Sequence, residues 1–164
     1  MRRLPALVAV LLLSACAGEE EATETVTVTV TGATTTPAPG SWKGLPEPLP
    51  ADGKLPVGEF NAYAETVDEP WERDLAATID EFIGRDENEA PSVSFQATSG
   101  PEGGGPTSAS LLLDGLLDDS VRARRYQLML DRRQDGTWRI DSATWAQRCH
   151  EGRGHQAFTP ALCT

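Results

Sequence analysis

Two cysteines and two histidines near the end of the chain form its densest group of redox-active or metal-ligating side chains. Cys149 and His150 are adjacent, and His155 and Cys163 follow. Two thiols can form a disulfide, whereas thiolate together with imidazole is a donor set that suits zinc. The spacing matches neither usual pairing of zinc ligands, and adjacent Cys149 and His150 would need an unusual backbone to reach one ion.

Arginines alternate along one segment that has strand-like periodicity. If Leu128 and Leu130 point into the core, strand parity places Tyr126, Arg124 and Arg122 on the same face. These arginines either extend into solvent and pair with carboxylates of a helix, or line the mouth of a cavity and bind a ligand carboxylate. A bulge in the strand would shift the parity and remove this argument.

Two further polar groups have simple structural explanations. Arg153 and His155, in a glycine-flanked segment, are either turn residues or contacts for a ligand. Asp118 and Asp119, with Asp114 before them, could bind calcium, but apolar residues occupy positions where calcium ligands are expected. We therefore expect these aspartates to form a hairpin turn.

The start of the chain has the pattern of an export signal. A short basic beginning and an apolar run of roughly ten residues end in Leu13-Ser14-Ala15-Cys16. This pattern resembles the signal of bacterial lipoproteins, and the resemblance implies removal of residues 1–15 and acylation of the cysteine. The lipid, a diacylglycerol with palmitate-type chains, would hold the protein at the extracytoplasmic side of the cell membrane. A transmembrane anchor and an ordinary secretory signal with a chance cysteine are the alternatives, but a span needs about twenty apolar residues.

Export also bears on the remaining cysteines. Once Cys16 is acylated, Cys149 and Cys163 are an even pair in an oxidising compartment, so we expect a disulfide between them. We expect no metal and no cofactor.

The charge of the chain restricts its partners. It has 14 basic and 25 acidic residues, a net charge of −11, and loss of Arg2 and Arg3 with the signal makes the mature chain still more acidic. Such a charge repels nucleic acid and anionic lipid head groups, so we expect no nucleic-acid partner. A protein, a cell-wall polymer or a small molecule remains as the ligand.

Residues 16–56 have the composition of a tether. Threonine, proline and glutamate dominate this range, which predicts a disordered, extended chain. Within it, the segment Thr25–Thr31 alternates threonine with valine, so an edge strand is the alternative there.

Residues 57–164 have the patterning of one α+β domain. A helix is predicted at 70–83, since Pro70 suits its first turn, Gly84 fits just past its end, and apolar residues recur three and four apart. Phe60 and Tyr63 indicate a short turn or strand before it.

After Pro91 the period becomes strand-like. We expect strands at about 93–97, 108–116, 121–132 and 137–146, joined by turns as a curved antiparallel meander packed on the helix. The expected sheet core consists of Leu111, Leu113, Leu128, Leu130, Trp138 and Ile140.

The order of these elements, over about 60–146, resembles the cystatin-like group, which includes nuclear-transport-factor-like and polyketide-cyclase-like domains. The run that begins at Gly115 and closes with Gly152-Arg153-Gly154-His155 is also similar to the ends of small exported proteins of high-GC Gram-positive bacteria. A cyclase-like enzyme would place a histidine or aspartate in a cavity as general base, but both histidines lie beyond the sheet. We therefore expect a non-catalytic binding module; a cavity-containing enzyme or small-molecule binder is the alternative.

Overall fold

The computed structural model describes residues 42–85, 89–100 and 105–164. The expected signal, the lipidated Cys16 and the tether as far as residue 41 lie outside the described residues. The described chain has two α-helices, one 3-10 turn and four strands: α1 Val57–Ala64, the 3-10 turn Pro70–Arg73, α2 Leu75–Ile83, β1 Ser92–Thr98, β2 Thr107–Asp114, β3 Val121–Arg132 and β4 Trp138–Cys149.

The four strands form one antiparallel sheet in the order β1-β2-β3-β4, which confirms the α+β class. Alternation along the strands determines the buried face: Leu111, Leu113, Leu128, Leu130 and Ile140 are each at most 3% exposed. Trp138, which was expected in the core, is only half-buried because it lies at the first position of β4.

The predicted helix 70–83 is divided by Asp74. Asp74 has an extended backbone (φ −107°, ψ 122°), and its carboxylate accepts a hydrogen bond from the Ala77 amide at 2.8 Å. This N-cap starts α2 at Leu75 and leaves Pro70–Arg73 as a separate 3-10 turn. None of the described helices is both long enough and apolar enough to cross a membrane.

Aromatic side chains hold the helices together. The ring of Phe60 on α1 lies 5.1 Å from that of Phe82, 5.5 Å from Trp42, 5.7 Å from Trp71 and 6.3 Å from Tyr63, between centroids. We call these five rings the aromatic cluster. Phe60 and Phe82 have no exposed surface, so the cluster is continuous with the sheet core.

The expected tether boundary at residue 56 is wrong, because residues 42–56 pack on the domain. Leu49 and Leu55 are 8% and 6% exposed and belong to the core. The amide of Leu55 donates to the carbonyl of Ala143, and the Trp145 indole donates to the Pro50 carbonyl at 2.9 Å. Prolines end regular pairing but leave their carbonyls as acceptors, so this segment can cover the edge of β4.

The turn between β2 and β3 depends on Asp118. One carboxylate oxygen accepts from the Ser120 amide at 2.7 Å, the Ser120 hydroxyl at 2.8 Å and the Val121 amide at 2.8 Å. The bonds from the Val121 and Ser120 amides hold the pKa of Asp118 below its ordinary value.

We expect Asp118→Ala to lower the free energy of unfolding by about 1 kcal/mol at neutral pH. A depressed carboxylate pKa stabilises the fold above the unfolded value of about 3.9, and this stabilisation is lost as the pH falls through the lower, folded value. The difference between wild type and variant in urea unfolding should therefore shrink between about pH 5 and about pH 2. A difference that stays constant over this range would contradict the assignment.

Candidate functional site: a charged cleft at the end of the sheet

A cleft of about 220 Å³ opens where the start of the described chain crosses the end of α2 and the inner face of β3. Its walls come from residues 43–49, from Ile83 and Gly84, from Glu89, and from Arg124 and Tyr126. The backbones cross closely, since a Cβ on Gly84 would lie 3.3 Å from the Gly44 Cα. Gly84 also has a φ of +67°, so glycine satisfies both the helix end and the close approach.

Arg124 is the most buried charged group of the cleft. Its side chain is 18% exposed, and its Nη1 lies 3.6 Å from an Oε1 of Glu89. Burial by itself lowers the pKa of Arg124, but Tyr126, Glu89 and Glu47 outweigh burial and raise it. The guanidinium is therefore a permanent cation, and its Nε has no hydrogen-bond partner among the described residues.

Tyr126 lies beside Arg124 and is 2% exposed. Burial raises the pKa of the Tyr126 hydroxyl, and Arg124 opposes that effect through its charge and a hydrogen bond. A guanidinium has only donors, so the phenolic oxygen is the acceptor in that bond. Tyr126 lines the cleft, and a phenolic hydroxyl can donate a hydrogen bond as well as accept one.

Arg122 does not join this pair, which corrects the parity expectation. Val121 is opposite Cys149 and Ala123 is opposite Arg148, so Arg122 is an extra residue in β3. Its side chain is 55% exposed and its Nε lies 3.6 Å from Asp114, outside the cleft.

The opposite face of the sheet carries a second group of arginines. The guanidinium carbons of Arg125 and Arg148 lie 4.7 and 5.4 Å from the centre of the Phe158 ring. Arg148 also contacts Asp114 at 3.2 Å. Both guanidiniums thus stack on one ring and Arg148 is also paired, and no local pattern predicts that Phe158 returns to this face.

The Cys149–Cys163 disulfide is present, with the Cα atoms 5.5 Å apart. Each ring nitrogen of His155 lies 2.9 Å from a backbone carbonyl oxygen, that of Ala157 or that of Ala161. The His155 ring and the two sulfurs come within 4.8 Å, but the sulfurs are bonded to each other. Of the two alternatives for the cysteines, the structure has the disulfide.

The remaining predicted contacts belong to the disulfide loop and not to the cleft. Arg153 contacts the Asp119 carboxylate at 3.0 Å and donates to its carbonyl at 3.3 Å. Gly154 has a φ of +134°, and a Cβ there would lie 2.9 Å from the Cys149 sulfur. Arg153 therefore contacts the turn before β3, and His155 contacts the loop itself, whereas Arg124 and Tyr126 face the cleft.

The space between helix and sheet is nearly filled. A hollow of about 20 Å³ lies between α2 and the first two strands, beside Ile79, Phe95 and Leu111. That volume is of the order of a single water molecule, far below a typical ligand pocket. The larger, charged space is the cleft at the end of the sheet.

Sequence reasoning identified Arg124 and Tyr126 but missed the opposite wall of the cleft. Lys43, Glu47 and Glu89 come from segments with no regular structure, so no periodicity places them next to β3. Comparison of the chain with models of known families, with curated proteins and with solved structures finds no match.

Proposed function

We propose that the protein is an extracytoplasmic lipoprotein, tethered to the cell membrane through Cys16, whose folded domain is a non-catalytic binding module. The lipoprotein-like signal supports the location, and the Cys149–Cys163 disulfide is consistent with an oxidising compartment. Residues 16–41 would then separate the membrane from the domain. The cystatin-like arrangement, a curved meander over an amphipathic helix, is part of this proposal.

The observation that carries the binding function is the cleft beside Arg124 and Tyr126. A fixed cation and a phenolic hydroxyl, held together at the end of the sheet, can recognise a ligand without further rearrangement. The same cleft favours the second candidate, a small-molecule binder, over a surface that docks a protein or a cell-wall polymer. A cyclase-like enzyme is less well supported, because the hollow between helix and sheet measures only about 20 Å³.

The test of location is intact mass spectrometry of the full chain, expressed in a bacterial host and recovered from membranes. We expect loss of residues 1–15 and the added mass of a diacylglycerol, and we expect Cys16→Ser to abolish both, since the thiol is the acceptor. The matched control is Cys149→Ala with Cys163→Ala, which keeps Cys16 and should still be acylated. A wild-type chain without lipid would refute the location.

A further inference from the structure

We propose that the cleft binds a zwitterionic α-amino acid with an apolar side chain. In this arrangement the carboxylate lies on Arg124 and Tyr126, and the ammonium lies toward Glu47 and Glu89. The inference deepens the proposed binding function and rests on it.

The carboxylate position follows from the donors that the fold leaves available. Arg124 is held by a 3.6 Å contact with Glu89 and by its bond to Tyr126, so the guanidinium is incompletely paired. The buried Nε atoms of Arg125 and Arg148 also lack partners in the part of the chain that the structure describes, but those guanidiniums stack on Phe158. A ligand carboxylate would accept from the Arg124 guanidinium and from the Tyr126 hydroxyl at once.

The ammonium position follows from the charge balance of the cleft. The charged side chains that line the cleft are two cations, Lys43 and Arg124, and two anions, Glu47 and Glu89. A bare anion would meet both glutamates within a chain of net charge −11, and its binding would be opposed. A ligand that carries both charges close together uses the arginine and the glutamates.

The apolar side chain follows from the remaining walls. Leu45, Leu49 and Ile83 line the cleft between its charged groups, and Leu49 and Ile83 are 8% and 7% exposed. A volume of about 220 Å³ admits one amino acid and is below the usual range for larger ligands. Burial of an aliphatic side chain there adds apolar contact to the two polar anchors.

The experiment is isothermal titration calorimetry on full-length, acylated, oxidised protein in detergent micelles, with three matched probes. L-leucine has both charges, N-acetyl-L-leucine has only the carboxylate, and L-leucinamide has only the ammonium. We expect leucine to bind, and each of the other two to bind at least about tenfold more weakly, because each leaves one set of charged groups of the cleft without its partner.

Variants assign each charge to its residues. We expect Arg124→Gln to weaken leucine binding at least about tenfold and Tyr126→Phe to weaken it about threefold or more. Arg122→Gln is the matched control, since this neighbouring arginine lies outside the cleft, and it should bind as wild type does. Glu89→Gln should weaken leucine but not N-acetyl-L-leucine, a contrast that a purely structural role would not produce. Circular dichroism verifies that each variant is folded.

The outcomes separate this inference from the proposed function. No leucine binding by correctly acylated protein, or equal binding of either single-charge probe, would overturn the amino-acid ligand and leave the binding module standing. If Arg124→Gln fails to fold, Tyr126→Phe and Glu89→Gln decide the assignment. Chemical conversion of leucine during the titration would instead refute the non-catalytic function.

Discussion

Replacement of Phe60 by alanine should lower the free energy of unfolding by about 3–5 kcal/mol. Phe60 has no exposed surface and lies at the centre of the aromatic cluster. The loss has two parts, the transfer of the ring from water and the cavity that remains between α1, Trp42 and Phe82. A domain of this size is stable by only about 5–15 kcal/mol, so the variant should be close to unfolding at room temperature.

Urea unfolding of the full chain, followed by tryptophan fluorescence, measures this effect. Trp42 and Trp71 both contact the Phe60 ring, so the signal reports on the affected region. Leu117→Ala is the matched control, because Leu117 is 83% exposed and its truncation should change stability by less than about 0.5 kcal/mol. Equal losses for the two variants would show that Phe60 does not organise the core.

Strands β2, β3 and β4 were predictable from the sequence because each buries one face. Burial alternates with a period of two along β2 and through Tyr126, Leu128 and Leu130 of β3, and that period determines the inward residues. The last strand runs three residues beyond the expected end, to Cys149. Its final residues pair with Val121 and Ala123 of β3, and such long-range pairing leaves no pattern in the local sequence.

The helices were predicted less accurately, since their ends depend on single hydrogen bonds. Asp74 starts α2 because its carboxylate accepts a hydrogen bond from the Ala77 amide. Such a side-chain bond competes with continuation of the helix, and the spacing of apolar residues does not reveal it. Asn61 on α1 also makes hydrogen bonds that the spacing of apolar residues does not predict. Its side chain donates to the Ile140 carbonyl at 2.7 Å and accepts from the Ile140 amide at 3.2 Å, so it completes the edge of β4.

Only one wall of the candidate site was predictable, because strand parity does not extend to irregular segments. Parity along β3 placed Arg124 and Tyr126 on one face, but the extra residue at Arg122 could not be located from the sequence. The other wall comes from residues 43–49, whose proline-rich composition predicted a tether. This segment and its neighbours pack on the domain through three apolar residues, Trp42, Leu49 and Leu55. The average composition of residues 16–56 does not reveal these few contacts.

Removal of the Cys149–Cys163 disulfide should lower the free energy of unfolding by about 3 kcal/mol. The two cysteines are 14 residues apart, and a cross-link of that span restricts the unfolded chain, so its loss makes unfolding more favourable. The double variant with Cys149→Ala and Cys163→Ala removes the bond. Alanine is preferred to serine because Cys149 has no exposed surface, so a serine there would bury a hydroxyl. Urea unfolding of this double variant measures the loss.

A dithiol reductant supplies the matched control for this prediction. Wild-type protein unfolded in the presence of the reductant should lose the same stability as the double variant, whereas the reductant should leave the double variant unchanged. The loop between the cysteines carries Arg153, which contacts Asp119 in the turn before β3, and His155, whose ring nitrogens each lie 2.9 Å from a carbonyl oxygen of the loop. If these contacts held the loop by themselves, the oxidised and reduced proteins would unfold at the same urea concentration, and the disulfide would have no stabilising role.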